Sequence, residues 1–589
     1  MVKPTRKSST FLARAGTAVA VGLVCLLPAI AAAQGIASYS PVTDQRLQAP
    51  EPQNWLMYRG NYAGWGYSPL DKVNTDNVKR LVPVWTLSSG VNEGHQSPPM
   101  VNNGVMFVTT PQNQVFALNA KTGDIYWTYK KELPEDLLQL HPTNRGVALY
   151  EDKVYLATLD AHLVALDAKT GKVLWDKTVG DYKKGYYCTL APLITKGKVM
   201  VGTSGGELAI RGYIEAFDAQ TGNSLWRTYT IPEPGQPGSE TWSGEAWKNG
   251  GGSVWIQGTY DPELNLAFWG VGNAGPWAGD FHPGDNLYTT SVIAVDPDTG
   301  KIKAHHQYHW NDSWDWDEVT PPMLIDVNRG GRTIKGLVHP GRNGYLWLLE
   351  RGKDKISFVA AKPYVKQDAF KSIDPTTGRP EYVMERKPAR GKSIAFCPSL
   401  WGGKDWPPAA YNPQTGLVYI PSNDNHCGNL KSKQEEPVKP GELYLGVEIK
   451  DIVLTVPAGT TTIGDLQAWD VAKGERVWSQ KFESHSFGPV LTTGGGLVFQ
   501  GGTNDRLFRA FNAKTGDPLW QFKTNSGVTA VPMSYEVDGV QYIAVQSGWG
   551  VDAERMQGAL ISAGYKAKNY SKDVPIPQGG VLWVFALGQ

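Results

Sequence analysis

Val115-Phe-Ala-Leu-Asn-Ala-Lys-Thr-Gly-Asp-Ile-Tyr-Trp127 decides the fold of this chain, because the chain writes the phrase five times. The other copies turn at Asp167-Ala-Lys-Thr-Gly171, Asp218-Ala-Gln-Thr-Gly222, Asp470 to Gly474, and Asn512-Ala-Lys-Thr-Gly516. In each, a Trp stands four residues after the Gly: Trp175, Trp226, Trp478 and Trp520. A degenerate copy, Asp296-Pro-Asp-Thr-Gly300, has Ala304 in place of the Trp. An Asp or Asn side chain accepts from backbone two residues on, and Gly takes the φ > 0 position, so the phrase closes a hairpin. The Trp then lies on the returning strand, where its ring fills the wedge between adjacent twisted sheets and its N–H can reach across. Strand–turn–strand units recurring about every 40–50 residues predict propeller blades. Independent hairpins in a sandwich leave the fixed Trp offset unexplained.

The two ends of the chain predict ring closure. Leu582-Trp-Val-Phe-Ala-Leu587 matches the run before each turn, and the missing Trp strand stands near the start as Leu81-Val-Pro-Val-Trp85. An N-terminal strand that completes the last blade removes both open edges. The expected fold is all-β, an eight-bladed β-propeller with tryptophan docking repeats. Intervals longer than one blade predict insertions.

Residues 1–33 read as an export signal: Lys3, Arg6, Lys7 and Arg14 precede an apolar stretch from Ala18 to Ala33, which ends in Ala31-Ala-Ala33. That stretch is too short to favour a permanent anchor. Residues 34–589 form the propeller domain, expected in the periplasm. Without the four basic residues of the signal, the net charge of +1 becomes about −3, which leaves no electrostatic footprint for nucleic acid. The mature chain keeps Cys188, Cys397 and Cys427. Cys397 and Cys427 flank one blade-sized segment and form the natural pair in an oxidising compartment, with Cys188 left as a buried thiol.

Three motifs are decoys. Gly270-Val-Gly-Asn-Ala-Gly275 fits GxGxxG, but Pro276-Trp277 follows where a dinucleotide fold needs a helix. Gly202-Thr-Ser-Gly-Gly206 fits GxSxG without the strand-to-helix elbow. His305, His306 and His309 lack a fourth ligand at zinc spacing and read as a surface strand.

Glu207 (in Gly205-Gly-Glu-Leu), Asn273 (in Gly272-Asn-Ala-Gly-Pro-Trp277) and Asp315 (in Ser313-Trp-Asp-Trp-Asp317) sit in Gly-rich or Trp-rich frames. Strand ends of separate blades converge on a propeller's axis, so these distant residues can share one ion. Oxygen ligands alone favour a hard cation such as calcium over zinc. Asp315 and Asp317 are two apart and face the same way in an extended segment.

Along nearly its whole mature length the chain resembles the pyrroloquinoline quinone (PQQ)-dependent alcohol and methanol dehydrogenases. The matching stretches are Trp55…Arg59-Gly-Asn61…Tyr67-Ser-Pro-Leu70, Thr143-Asn-Arg-Gly146, Gly202-Thr-Ser-Gly-Gly-Glu-Leu208, Gly250-Gly-Gly-Ser-Val-Trp255, Gly272-Asn273, Trp314-Asp315 and His339-Pro-Gly-Arg-Asn-Gly344. The resemblance implies an eight-bladed propeller holding PQQ and one metal ion on its axis. It implies Glu207 and Asn273 as metal ligands, and Asp315 as catalytic base beside the ion. Arg342 would stand by the quinone oxygens, and Trp255 would be the floor on which the cofactor stacks. Arg145, Thr189, Ser204, Gly205, Gly206 and Ser253 fall where the family binds the edges of PQQ, and Cys397–Cys427 matches a structural disulfide.

The chain departs from the family at several points. Gln139-Leu140 replace the adjacent cysteines whose disulfide ring lids the cofactor, which opens room above it. Gln96 stands where Glu is common, Asp405 where Asn is common, and Phe487 near a common Trp. Asp317, two residues after the base, resembles the lanthanide-using branch. A further carboxylate suits a trivalent ion, so a lanthanide is the expected metal and calcium the alternative. No CxxCH haem motif occurs, so a separate periplasmic cytochrome c is the expected acceptor for a monomer or homodimer. The expected substrates are primary or secondary alcohols of moderate size, reached past flexible cap segments around 425–460. Some relatives oxidise bulky secondary alcohols such as deoxynivalenol. The alternatives are a PQQ-dependent sugar or aldehyde dehydrogenase, and a non-enzymatic periplasmic propeller scaffold.

Overall fold

Each repeat phrase builds the third and fourth strands of an antiparallel sheet. In the first blade the strands are Met100–Asn102, Val105–Thr110, Gln114–Asn119 and Ile125–Lys130. The Asn119 side chain accepts the Lys121 N–H at 2.9 Å, closing the turn as its chemistry predicts. A bulge falls at Ala117–Leu118, just after the pair Ala117–Trp127. The same bulge recurs after Ala216–Trp226, Ala468–Trp478 and Ala510–Trp520.

The computed structural model describes residues 35–568, 570 and 575–588, so the expected export signal at 1–33 lies outside the described residues. Among these, eight sheets of the repeat type are present. The second to fifth span 148–178, 193–229, 259–307 and 323–363; the sixth and seventh span 410–482 and 491–523. The eighth is closed across the termini as expected, Leu81–Ser88 pairing antiparallel with Val581–Leu587.

The tryptophans dock as their offset requires. Trp127 donates Nε1–H to Ala168 O of the next blade at 3.0 Å, Trp226 to Pro297 O at 2.9 Å, and Trp478 to Ala513 O at 3.1 Å. Trp520 donates to Leu81 O at 2.9 Å, which extends the ladder into the closing strand. The rings of Trp85, Trp127, Trp175, Trp226 and Trp478 each lie against the turn glycine of the following blade. A Cβ on Gly171 would sit 2.6 Å from Trp127, and one on Gly123 would sit 2.6 Å from Trp85. The turn glycine therefore meets two demands, a left-handed backbone and no side chain. Gly171→Ala is expected to cost about 2–4 kcal/mol in urea unfolding. Gly104→Ala, with φ +80° and nothing within 4 Å, isolates the backbone share and should cost less.

Two blades lack the docking ring. Ala304 pairs with Ala294 in the fourth, and Ala360 takes the equivalent place opposite Leu348 in the fifth. A further copy of the phrase, Asp374-Pro-Thr-Thr-Gly378, was hidden because Tyr382 replaces its Trp. It closes the hairpin Phe370–Ile373 with Pro380–Tyr382, and a Cβ on Gly378 would meet Phe358 at 2.5 Å.

In the expected cap around 425–460, two strands join a three-stranded sheet and a loop at 433–446 links them. Cys427–Ser432 pairs with both Ser393–Phe396 and Val447–Thr455. The Cys397–Cys427 disulfide ties one corner, and Cys188 is free and buried, both as expected. The helix Asp552–Ser562, inserted in the eighth blade, was not foreseen.

Candidate active site

At one end of the propeller, loops that follow second and fourth strands of the blades converge on a cavity of about 430 Å³. Strand Lys198–Gly202 leads into Gly205, whose φ of +112° and 2.1 Å approach of Gly185 O to a built Cβ admit only glycine. The short 3-10 turn Gly206–Leu208 then brings Glu207 to the cavity wall. Strand Leu266–Gly270 supplies Asn273, the loop after Ile302–Gln307 supplies Asp315 and Asp317, and the turn after Arg332–Pro340 supplies Arg342.

Asp317 is pinned on both oxygens: Trp255 Nε1–H donates to Oδ2 at 3.1 Å, and the Asn273 backbone N–H donates to Oδ1 at 2.8 Å. Arg342 reaches three carboxylates, at 3.4 Å from Asp315 Oδ2, 3.4 Å from Asp317 Oδ2 and 3.5 Å from Asp405 Oδ1. Its Nε donates to Leu400 O at 2.8 Å, which aims the fork. One guanidinium thus faces those three carboxylates and Glu207 as well. Burial above all, with neighbouring negative charge added, pushes the Asp315 carboxyl well above its usual range and Asp317 up to about 7. Burial also raises Glu207 and Asp405, against the pull of Arg342. Such a cluster is poised to accept a cation.

Asn273 gives an independent sign. Its Oδ1 is buried without a hydrogen-bond partner, an arrangement costing about 1–3 kcal/mol. Among the described residues no three His, Cys, Asp or Glu side chains converge tightly enough to cage an ion alone. An ion here would take oxygens from Glu207, Asn273 and an aspartate, with the remainder from a bound molecule. That mixed oxygen set fits a hard cation.

The neighbouring wall fits a flat, oxygen-rich ligand. Arg145 Nη1 donates to Thr189 Oγ1 at 2.6 Å, and Thr189 Oγ1 lies 3.2 Å from Ser204 Oγ. The Arg145 guanidinium packs 4.7 Å from the Trp255 ring centre and 5.0 Å from that of Trp406, while its Nε is buried without a partner. Aromatic face, guanidinium and hydroxyls together offer a stacking surface with donors along its edge.

The cavity gathers Arg145, Thr189, Ser204, Gly205, Glu207, Trp255, Asp315, Asp317, Arg342 and Asp405, all singled out in the sequence. Gly206, Ser253 and Asn273 lie immediately behind its wall: built Cβ atoms on Gly206 and Gly272 would sit 3.1 and 2.8 Å from Ser253 Oγ. Gln96 is buried and does not line the cavity. Leu140 lines the mouth next to His141. Sequence reasoning missed Trp406 and the outer wall of Leu443, Leu445, Ile449, Ile452, Asp552 and Arg555. Acidic Asp552 and Glu554 ahead of Met556 and Leu560 were the available helix signal. The surface-strand reading of the histidines needs correcting. His305 is exposed, but His306 and His309 are buried, and His309 lies beyond the strand in the wall behind Asp315.

This fold and cavity define a quinoprotein class of propeller. The chain belongs to the PQQ-dependent dehydrogenase family: the family model "PQQ: Glucose/ethanol/alcohol dehydrogenase, beta-propeller domain" matches residues 55–355 and 376–543. The quinoprotein alcohol dehydrogenase PedH of Pseudomonas putida is 39% identical over 579 residues, covering 94% of each chain. The lanthanide-dependent methanol dehydrogenase of Methylacidiphilum fumariolicum is 36% identical, covering 91% of this chain and 93% of its own. Among solved structures, a europium-containing methanol dehydrogenase superposes with a TM-score of 0.85 at 35% identity, covering 92% of this chain and 100% of its own.

Proposed function

We propose that the protein oxidises primary and secondary alcohols of moderate size to aldehydes or ketones, with Asp315 as base. The observation that supports this most is Asp315 itself, a buried carboxylate on the cavity wall 3.4 Å from the Arg342 guanidinium. The carboxyl is pushed well above its usual range by burial, against the downward pull of Arg342. It would accept the hydroxyl proton of a bound alcohol while the carbinol C–H bond breaks.

Trp255 and Arg145 would hold PQQ by stacking and by charge, with Thr189, Ser204 and Ser253 at its edges, and Gly205 and Gly206 leaving it room. Asp405 would support its rim. Glu207, Asn273, Asp315 and Asp317 would hold the metal ion. When bound, the quinone takes the hydride equivalent and the cation polarises its carbonyl. The protein's share is orientation, exclusion of water and removal of one proton. We read the metal as a lanthanide, because Asp317 adds negative charge to the cluster and a lanthanide-dependent relative matches along nearly the whole chain; calcium is the alternative. Export to the periplasm and electron transfer to a separate cytochrome c belong to the same reading. No helix among the described residues is long and apolar enough to cross a membrane.

The outer wall supports substrates larger than methanol, since Leu140, Leu443, Leu445, Ile449 and Ile452 present aliphatic surface at the mouth. Burial of about 0.8 kcal/mol per methylene predicts a rise in kcat/KM of roughly threefold to fourfold per carbon from methanol towards hexanol. A flat or falling series in a dye-linked assay would contradict this wall as the binding surface. A non-enzymatic scaffold needs no buried carboxylate cluster.

A further inference from the structure

The loop carrying Asp315 and the turn carrying Arg342 come from different blades, and one buried histidine stands between them. His309 Nε2 lies 2.9 Å from Asp312 Oδ1. Asp312 Oδ2 accepts the Asp315 backbone N–H at 3.0 Å. That bond holds Asp315 at φ +64°, a conformation rare outside glycine. On its other side, His309 Nδ1 lies 3.5 Å from Glu318 Oε1 and 3.4 Å from Asn343 Nδ2. Glu318 Oε2 accepts the Arg342 backbone N–H at 3.1 Å and is 2.6 Å from His339 Nε2; Oε1 accepts the Asn343 N–H at 3.3 Å. One carboxylate thus grips the amide of Asp315 and the other grips the amide of Arg342, while His309 hydrogen-bonds the first and packs against the second.

The arrangement has no slack. His309, Asp312, Glu318 and Asn343 are all 0% exposed. A Cβ on Gly341 would sit 2.8 Å from Asn343 Oδ1 and 3.0 Å from Glu318 Oε2. Buried carboxylates need their donors, so removing the His309 Nε2 donor lets the Asp312 loop relax and opens the packing against Glu318 and Asn343. His309 is not among the residues that line the cavity.

We propose that His309 is a positioning residue for alcohol oxidation: through Asp312 and Glu318 it sets the separation of Asp315 from Arg342. The proposal rests on the reading of Asp315 as base. Its test compares His309→Gln, whose amide nitrogen reproduces the Nε2 donor, with His309→Asn, which leaves Asp312 without it. His309→Asn should lower kcat about 30-fold with KM within about threefold, the size expected when a reacting group shifts by a fraction of an ångström. Tryptophan-sensitised terbium emission of the quinone-loaded protein should report about tenfold weaker binding, because Asp315 is a proposed ligand. His309→Gln should recover both readouts to within about fivefold of the native protein. Native-like kcat in His309→Asn, or equal loss in both variants, overturns the proposal. If His309→Asn does not fold, Asp312→Asn takes its place; the same kcat loss at constant KM supports the tie, and native-like kcat overturns it. Near-normal turnover in Asp315→Asn would sink the base reading instead, whereas an inactive Asp315→Asn beside a native-like His309→Asn sinks this proposal alone.

Discussion

Asp315→Asn is expected to lower kcat by about 10²–10⁴-fold, the usual contribution of a positioned base, while leaving the fold intact. Asn is the informative replacement because it tolerates the left-handed backbone that Asp315 adopts at φ +64°. Alanine at the same place would mix backbone strain with the loss of the carboxylate. The amide keeps the volume and the Asp312-to-backbone hydrogen bond. Removing a buried carboxyl also removes a desolvation penalty, so the cation-free variant should melt no lower than the native protein. KM for the alcohol should change little, since the apolar wall that binds its body lies elsewhere in the cavity. Dye-linked steady-state kinetics and thermal melts separate these effects. Turnover within tenfold of native would remove Asp315 as the proton acceptor.

Asp317→Ala is expected to weaken lanthanum far more than calcium. Its carboxylate, itself a proposed ligand, is fixed by Trp255 and by the Asn273 N–H. At an effective dielectric constant near 20, a neighbouring unit charge contributes about 3 kcal/mol per unit of ionic charge. The trivalent ion therefore loses about 3 kcal/mol more than the divalent one, or roughly 100-fold in affinity. The pH dependence has a definite sign. In the cation-free protein the Asp317 carboxyl is raised to about 7, by burial first and by Glu207 among the charges. A ligand must shed that proton, so lanthanum affinity should fall as pH drops below about 7, by up to tenfold per unit. The raised carboxyl also means that cation-free protein loses stability as pH climbs from about 4 to about 7. Asp317→Ala should flatten both dependences. Equal losses for the two metals, with an unchanged pH slope, would count against a lanthanide.

The blades were legible because their instructions are local. An Asx turn, a left-handed Gly and a Trp four residues on are all contained in one phrase, and Trp127, Trp175, Trp226 and Trp478 each meet the turn Gly of the next blade. The copy at Asp374 escaped because Tyr382 does the aromatic's work there, stacking 4.5 Å from Trp310. The sheet in the cap was not legible because its strands, Cys427–Ser432 and Val447–Thr455, lack the repeat phrase that marks the blades. The residues on the cavity wall were readable from their Gly and Trp frames and from the family resemblance. The layer behind them was not. Nothing in the spacing of His305, His306 and His309 reveals that the chain turns inward after Gln307, which puts His309 against Asp312 rather than in solvent. The helix that brings Asp552 and Arg555 to the mouth is only 11 residues long, and its place over the axis follows from the eighth blade closing on the start of the chain.

The most direct test of the central claim is a titration of chelator-treated, PQQ-loaded protein with lanthanum and, separately, with calcium, followed by alcohol-dependent dye reduction. The account predicts no turnover with quinone alone, onset at one ion per chain, and saturation at lower lanthanum than calcium. Full turnover without any added cation, or none with either ion across the alcohol series, would contradict it.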